Sequence, residues 1–237
     1  MIESLTTVFG AMPWILNGAL ITIGTVLCAM LLGLMLGVPL AVGQVYGPAP
    51  LRRGIGLYVW FFRGVPILVL LYLFYFGLAY QMNPLEGSLF GHPFSINIDL
   101  SPFAASCIVL GLTSAAYQSQ IFRGAINSLP AGQLKAARAL GMRDSSAVVC
   151  IILPQALRLS IPGWSNEYSI LLKDSALVSV LGTMELMSRA KAIATSTAEY
   201  SAFYFTAALL YFIITFLGVR ALRYAEKRLR IPGYSQA

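Results

Sequence analysis

The chain has 237 residues, of which 58% are hydrophobic and only 11% charged, and its mean hydropathy is +0.76. Soluble domains carry about a quarter of their residues as charges, so this composition excludes an ordinary water-soluble protein and points to an integral membrane protein. The net charge of +7 invites nucleic acid as a partner, but its distribution along the chain answers to a membrane instead.

The first 13 residues hold Glu3 and no Lys or Arg, so the basic segment that opens a secretory signal is missing, and the first apolar run is expected to be retained. Residues 14–43, WILNGALITIGTVLCAMLLGLMLGVPLAVG, carry no charge and exceed the roughly 20 residues that cross a bilayer as a helix. Gly24, Gly33 and Gly37 stand there at small-residue spacings that suit close helix packing. After the turn QVYGPAPLRRG, a second span covers about 56–80, interrupted by FRGVP, where Pro66 frees a backbone carbonyl and predicts a kink. Residues 81–99 are polar and turn-rich and read as an external loop. A third span covers about 100–122, a mixed and basic segment 123–160, a fourth span 161–182, a polar helix-like segment 183–199 and a fifth span 200–219. The tail RALRYAEKRLRIPGYSQA is basic. Trp14 and Tyr80 suit interfacial aromatic belts. The expected fold is an all-α integral membrane protein of five transmembrane helices, a single domain over 1–237.

Five spans place alternate connections on opposite sides. The ends that follow spans one, three and five hold 12 of the 16 Lys and Arg residues: Arg52, Arg53, Arg123, Lys135, Arg138, Arg143, Arg158, Arg220, Arg223, Lys227, Arg228 and Arg230. By the positive-inside rule that side is cytoplasmic, so the N-terminus is expected outside and the C-terminus inside. This bias accounts for the net charge without nucleic acid and sets basic residues against lipid headgroups. Cys28, Cys107 and Cys150 lack the spacing of a zinc site or disulfide framework.

The longest cytoplasmic segment has an order of its own. QLKAARALGM is built from strong helix formers. Leu134, Ala137, Leu140 and Gly141 give it one apolar face, with Lys135 and Arg138 on the other side. Gly141 is placed to end it in a left-handed conformation. A second helix starts in DSSAVVCIILPQALR with Asp144 or Ser145 as cap. Such a short amphipathic pair docks into a partner's groove or lies on lipid, and the residues alone leave both open.

The stretch LPAGQLKAARALGMRDSSAVVCIILPQALRLSIP resembles the signature loop of the permeases of ABC importers. An Ala-Ala pair, Ala136 and Ala137, precedes a glycine, Gly141, and later an apolar-Leu-Pro at Leu153 and Pro154. NEYSILLKDSAL, FFRGVPILVLLYLFYFG and AAYQSQIFRGAINSLP extend the resemblance from Trp14 to Arg228. They are similar to the polar amino acid uptake branch, of histidine, glutamine and arginine type. Lys135 stands where that family usually has Glu. Gln120 stands where an acidic residue is frequent, which weakens the case for a strongly cationic substrate. The resemblance implies a permease subunit of the bacterial-type cytoplasmic (inner) membrane, not an enzyme itself, and no GxxxxGK[ST] phosphate loop occurs in the chain. It implies a separate ATP-binding cassette ATPase dimer that grips the 131–142 helix through Gln133, Lys135, Ala136, Ala137, Arg138, Gly141 and Arg143. It further implies an extracytoplasmic solute-binding protein, a second permease chain, identical or homologous, and a polar amino acid as cargo. No cofactor or metal is expected. The alternative, a secondary transporter or channel-like protein for small polar solutes, predicts inverted repeats, and none is visible.

Lys173 and Asp174 interrupt the fourth span. A charge at the bilayer centre costs about 2.5–3.5 kcal/mol or more, so these two need water, a countercharge or a ligand. Neighbouring helix residues point about 100° apart and pair poorly with each other. Three readings stand: a buried ion pair with Arg63, Glu167 or Gln120 nearby; an early end of the span at the outer interface; or a polar cavity between two permease chains where lysine and aspartate clamp the dipolar head of an amino acid. The candidate substrate path is Arg63, Gln120, Glu167, Lys173, Asp174 and Ser175.

Overall fold

The computed structural model describes residues 2–79, 85–89, 92–96 and 100–229, and side chains over 6–78 and 100–229. Tyr80, Asp99 and Arg230 lie outside the described residues. The chain opens with α1, Ile2–Tyr46, whose 45 residues rise roughly 68 Å, far more than the ~30 Å of bilayer hydrocarbon. Helix α2, Ala49–Gly64, and helix α3, Ile67–Tyr72, follow; α3 passes into a π-helical segment, Leu73–Ala79.

Here the expected second span is corrected. α2 and the helix after it meet at 107°, a break rather than a kink. Gly64 ends α2, Val65 is extended (φ −96°, ψ 131°), and Pro66 has no N–H to continue the ladder. The residue before a proline is driven out of the α region.

The connection that follows carries one antiparallel hairpin, β1 (Leu85–Leu89) with β2 (His92–Ile96), in which Leu85 pairs with Ile96 and Leu89 with His92. The described chain is otherwise helical, and the all-α expectation is amended by these two strands.

Helix α4, Pro102–Ser128, is capped by the Ser101 side chain, which accepts from the Ala104 N–H. The short α5 (Gly132–Ala139) and α6 (Asp144–Ala147) lead through a π-helical turn, Val148–Ile152, into α7 (Leu153–Leu159). Then come α8 (Ile161–Asp174), a 3₁₀ extension Ser175–Leu181, α9 (Leu186–Thr197) and α10 (Tyr200–Leu229). α8 and its extension together rise roughly 35 Å, because each 3₁₀ residue adds about 2 Å.

By length and apolarity, Thr6–Tyr46 and Tyr200–Leu229 each suffice to cross a membrane, and the two bent pairs, 49–78 and 144–181, raise the number to four. α4 is long enough, at 27 residues, but it is the interior helix. Its buried face carries Ser106, Thr113, Ser114, Gln118 and Ser119, and that polarity lowers its mean apolarity.

α1 and α4 run parallel. Gly24 lies beside Phe103, Leu32 beside Gly111 and Gly37 beside Ser119, while Gln44 bonds Gln120; the pairs advance together along both helices. The approach is close because Gly33 and Gly37 have no side chain. A Cβ on Gly33 would overlap Gln118 Nε2 and stand 2.9 Å from Ser114 Oγ, and one on Gly37 would meet the Ser119 nitrogen at 3.2 Å.

At the other side of α1, α9 and α10 close over Val8, Ile15, Ala19, Leu186, Ala194 and Phe203. Glu185 ties this end together. It is fully buried and caps α9, accepting from the Met187 and Ser188 N–H groups at 2.8 and 2.6 Å. It also accepts from Tyr211 Oη of α10 at 2.7 Å and from Thr22 Oγ1 of α1 at 3.4 Å.

The Gly33 contact carries the first prediction. Gly33→Ala overpacks the α1–α4 seam and destabilises the protein by about 2 kcal/mol. Gly24→Ala, where the nearest atom of Phe103 is 3.9 Å away, leaves it unchanged. The thermal midpoints of the two purified variants measure the difference.

Candidate functional site

The break between α2 and α3 opens a cavity of about 380 Å³ against α4 and α8. Arg63, Gly64, Val65 and Pro66 of the break form one wall, Thr113 and Tyr117 of α4 a second, and Glu167, Ile170, Leu171 and Asp174 of α8 a third. On α8 these are residues i, i+3, i+4 and i+7, one face of a helix. The two carboxylates therefore stand about 10 Å apart along the wall. The Arg63 guanidinium lies 4.9 Å from the centre of the Tyr117 ring, a cation–π contact between two residues that line the cavity.

A buried relay fixes Glu167. Its Oε1 accepts from Ser114 Oγ at 2.8 Å. Ser114 Oγ accepts from Gln118 Nε2 at 3.0 Å, which also donates to the Met30 carbonyl at 3.1 Å. Gln118 Oε1 accepts from Trp164 Nε1 at 2.6 Å. Helices α1, α4 and α8 are thereby joined through one amide side chain.

Three of the six path candidates, Arg63, Glu167 and Asp174, meet in this cavity. The other three do not line it. Lys173 is exposed: a helix phase that turns Glu167 and Asp174 toward the cavity turns their neighbour away from it. Ser175 is buried and donates to the Leu172 carbonyl at 2.6 Å. Gln120 is held by Gln44 and Ser119, each at 3.1 Å, and accepts from Arg123 at 3.4 Å. The sequence reading missed Thr113, Tyr117, Ser114, Gln118 and Trp164. The available signal was the run LTSAAYQSQ, polar residues at four-residue spacing inside an otherwise apolar helix.

The loop helix α5 ends as foreseen. Gly141 is left-handed (φ +80°), the Met142 N–H bonds the Ala137 carbonyl at 3.0 Å, and the Gly141 N–H bonds the Arg138 carbonyl at 2.9 Å. This is the paired closure of a Schellman motif.

Its expected face needs correction. Ala137 is buried at 2% exposure and turns into the chain itself, whereas Leu140 is 83% exposed. Leu140 follows the helix as its C-cap, where the chain has already left the helical path. Gln133 is occupied by a reciprocal amide pair with Gln155 of α7, at 3.0 and 2.9 Å. Lys135, Ala136 and Arg143 are exposed.

Asp144 does not cap α6, and neither does Ser145; Arg143 holds the cap position without a side-chain bond. Asp144 sits in the first turn and receives a two-pronged bond from Arg138, Nε to Oδ1 at 2.7 Å and Nη2 to Oδ2 at 2.8 Å. Arg138's hydrogen bonds hold the Asp144 carboxyl below its ordinary value of 3.8. A depressed carboxyl stabilises the fold above its unfolded pKa, and the contribution disappears as pH falls through the folded value. The α5–α6 clasp is therefore expected to be intact at pH 5 and to open only in acid below pH 3.8. A carboxyl ¹³C titration of Asp144 should read a depressed midpoint, which Arg138→Gln returns to the ordinary value.

A family model described as the inner membrane component of binding-protein-dependent transport systems matches residues 29–231. The octopine transport system permease protein OccQ of Rhizobium meliloti is 38% identical over 223 residues, covering 93% of each chain. The arginine ABC transporter permease protein ArtQ of Escherichia coli (strain K12) is 33% identical over 226 residues, covering 90% of this chain and 93% of its own. A crystal structure of an amino acid ABC transporter with histidines superposes with a TM-score of 0.79 at 30% identity, over 94% of this chain and 97% of that one. The MetNI methionine ABC transporter in an inward-facing form shares the fold, with a TM-score of 0.74 at 19% identity over 92% of this chain and 97% of that one. The chain belongs to the family of binding-protein-dependent transport system inner membrane components.

Proposed function

We propose that this permease subunit of an ATP-driven importer carries a polar amino acid with a cationic group, and that Arg63, Glu167 and Asp174 hold it during passage. The observation that carries this reading is the cavity at the α2–α3 break, whose lining includes one guanidinium and two carboxylates. An amino acid brings a carboxylate, which suits the planar fork of arginine, and an ammonium, which suits a carboxylate. The second carboxylate leaves the site with one negative charge in excess, so a further cation on the cargo is favoured. Gln120 lies outside the cavity, and its neutrality has no bearing on this preference. The names of OccQ and ArtQ, an octopine and an arginine permease, agree with cargo of that kind.

The finer architecture is part of the same proposal. Residues 1–237 form one permease domain of five spans, with α4 as the interior span, the N-terminus outside and the C-terminus inside. The asymmetry of Lys and Arg supports this orientation. So does the grouping of α9 with the N-terminal part of α1, where Arg189 stacks on Trp14 at 4.8 Å and donates to its carbonyl at 3.1 Å. The chain sits in a cytoplasmic membrane of bacterial type beside a second permease chain. It takes cargo from an extracytoplasmic binding protein and leaves ATP hydrolysis to a separate ATPase pair.

α5 is the seat for that ATPase. Lys135, Ala136, Leu140 and Arg143 form the outward surface, while Gln133, Ala137, Arg138 and Gly141 shape and brace the helix. Leu140 is an apolar side chain held in water, and covering it by a partner returns the cost of its exposure. Alternating access follows when ATPase closure moves α5.

Uptake by proteoliposomes containing permease, ATPase and binding protein tests the cargo site. Glu167→Gln and Asp174→Asn each remove a charged acceptor worth about 1.5–3 kcal/mol, so uptake of a cationic amino acid is expected to fall roughly tenfold or more. Normal uptake by both, in complexes that assemble as wild type, overturns the assignment of the site.

A further inference from the structure

The exposed face of α10 lies outside the cavity and has a pattern of its own. Phe205, Leu209, Phe212 and Phe216 recur at steps of four, three and four residues, and all are between 49% and 74% exposed. The same stepping continues through Arg220, Arg223 and Lys227, also exposed. The seven positions average about 3.7 residues per step, so they form one nearly straight stripe along the helix. The stripe changes character once, between Phe216 and Arg220. There the Arg220 guanidinium stands 6.0 Å from the centre of the Phe216 ring. Phe212 and Phe216 stack on each other at 6.2 Å, giving the apolar part a continuous flat surface. From Phe205 to Phe216 the rise is roughly 16 Å, about the hydrocarbon depth of one leaflet. Glu226, the acidic residue of α10, falls about 100° off Lys227 and outside the stripe.

We infer that this stripe is a binding site for one anionic phospholipid of the cytoplasmic leaflet, with its acyl chains along Phe205–Phe216 and its phosphate among Arg220, Arg223 and Lys227. Charge complementarity and continuity choose this occupant. A water-soluble partner meets only the basic end and leaves the apolar end unused. A second copy of this chain brings the same three cations, and like charges repel along a shared stripe. A molecule that is apolar for the depth of one leaflet and anionic just beyond it matches both halves at once. The inference rests on α10 crossing the membrane, but not on the identity of the cargo.

Native mass spectrometry of the assembled importer, taken from nanodiscs of mixed phosphatidylglycerol and phosphatidylcholine, tests it. The wild type should retain phosphatidylglycerol in preference to phosphatidylcholine. Each of Arg220→Gln, Arg223→Gln and Lys227→Gln should lower its affinity roughly fivefold, the equivalent of about 1 kcal/mol per charge. Phe212→Ala with Phe216→Ala should weaken retention with the cations intact, which separates an acyl-chain site from one that holds only a phosphate group. Arg52→Gln with Arg53→Gln, off the stripe, should not weaken it. Retention unchanged in the triple charge variant overturns the site. So does loss of the ATPase, or a changed number of permease copies, with retention intact; these outcomes assign the stripe to a protein partner. Lipid retention is read without transport, so failure here leaves the cargo reading untouched.

Discussion

The contact of Gly33 and Gly37 with α4 is the constraint on which the rest of the molecule depends. Helices in lipid gain little from hiding apolar surface, and their association rests on close van der Waals packing and on hydrogen bonds between them. Two missing side chains let α1 approach until the Met30 carbonyl accepts from Gln118. Gln118 then has a fixed orientation, and its remaining groups reach Ser114 and Trp164. Ser114 in turn holds Glu167. A packing feature of the first span thus sets the position of a carboxylate on the eighth helix. It also explains how a helix as polar as α4 lives inside a membrane protein, since its serines, threonines and glutamine face other helices rather than lipid.

Two buried glutamates show how the fold separates structure from function. Glu185 accepts from two backbone N–H groups and from the side chains of Thr22, Ser188 and Tyr211. It sits at the positive end of α9, so its charge is satisfied without a cation. Glu167 is almost as buried, yet among the described residues it accepts one hydrogen bond, from Ser114, and borders a cavity. A buried carboxylate with spare acceptor capacity has a high cost unless something brings donors to it. Glu185 is complete within the chain; Glu167 keeps spare acceptor capacity beside the cavity.

How much of this was legible in the sequence depended on whether a local rule decided the matter. Gly141 was legible because a left-handed helix end has a strong residue preference, and the small-residue spacing at Gly33 and Gly37 was legible for a similar reason. The break at Pro66 was legible as a place but not as an angle, because the angle is set by what α2 and α3 pack against. Lys173 and Asp174 were legible as an anomaly. Only the rotation of α8 about its axis tells which of the two enters the cavity. Asp144 had the residue type of a cap, but Arg138, six residues back, offered two donors in a plane, and the charged pair prevailed over the backbone. The polar run of α4 carried its message openly. The helix was legible as a span, but which of its polar groups turn to the cavity depends on its register against α1 and α8.

The same connections give the molecule a path for force. α5 is clasped to α6 by Arg138 and Asp144 and to α7 by the paired amides of Gln133 and Gln155. α6 and α7 form one helical run, which turns by 55° into α8. An exposed ion pair adds little to stability, so these clasps are better understood through geometry: they allow α5 to move only with the run that follows it. At the far end of that run stand Glu167 and Asp174. In the proposed mechanism a push on the exposed face of α5 would reach the wall of the cavity by this route, while the Met30–Gln118–Trp164 bonds tie the start of α8 to α1 and α4. On that proposal the 55° corner and the Val65–Pro66 break are the points where bending would cost least, because helical hydrogen bonding is already interrupted there.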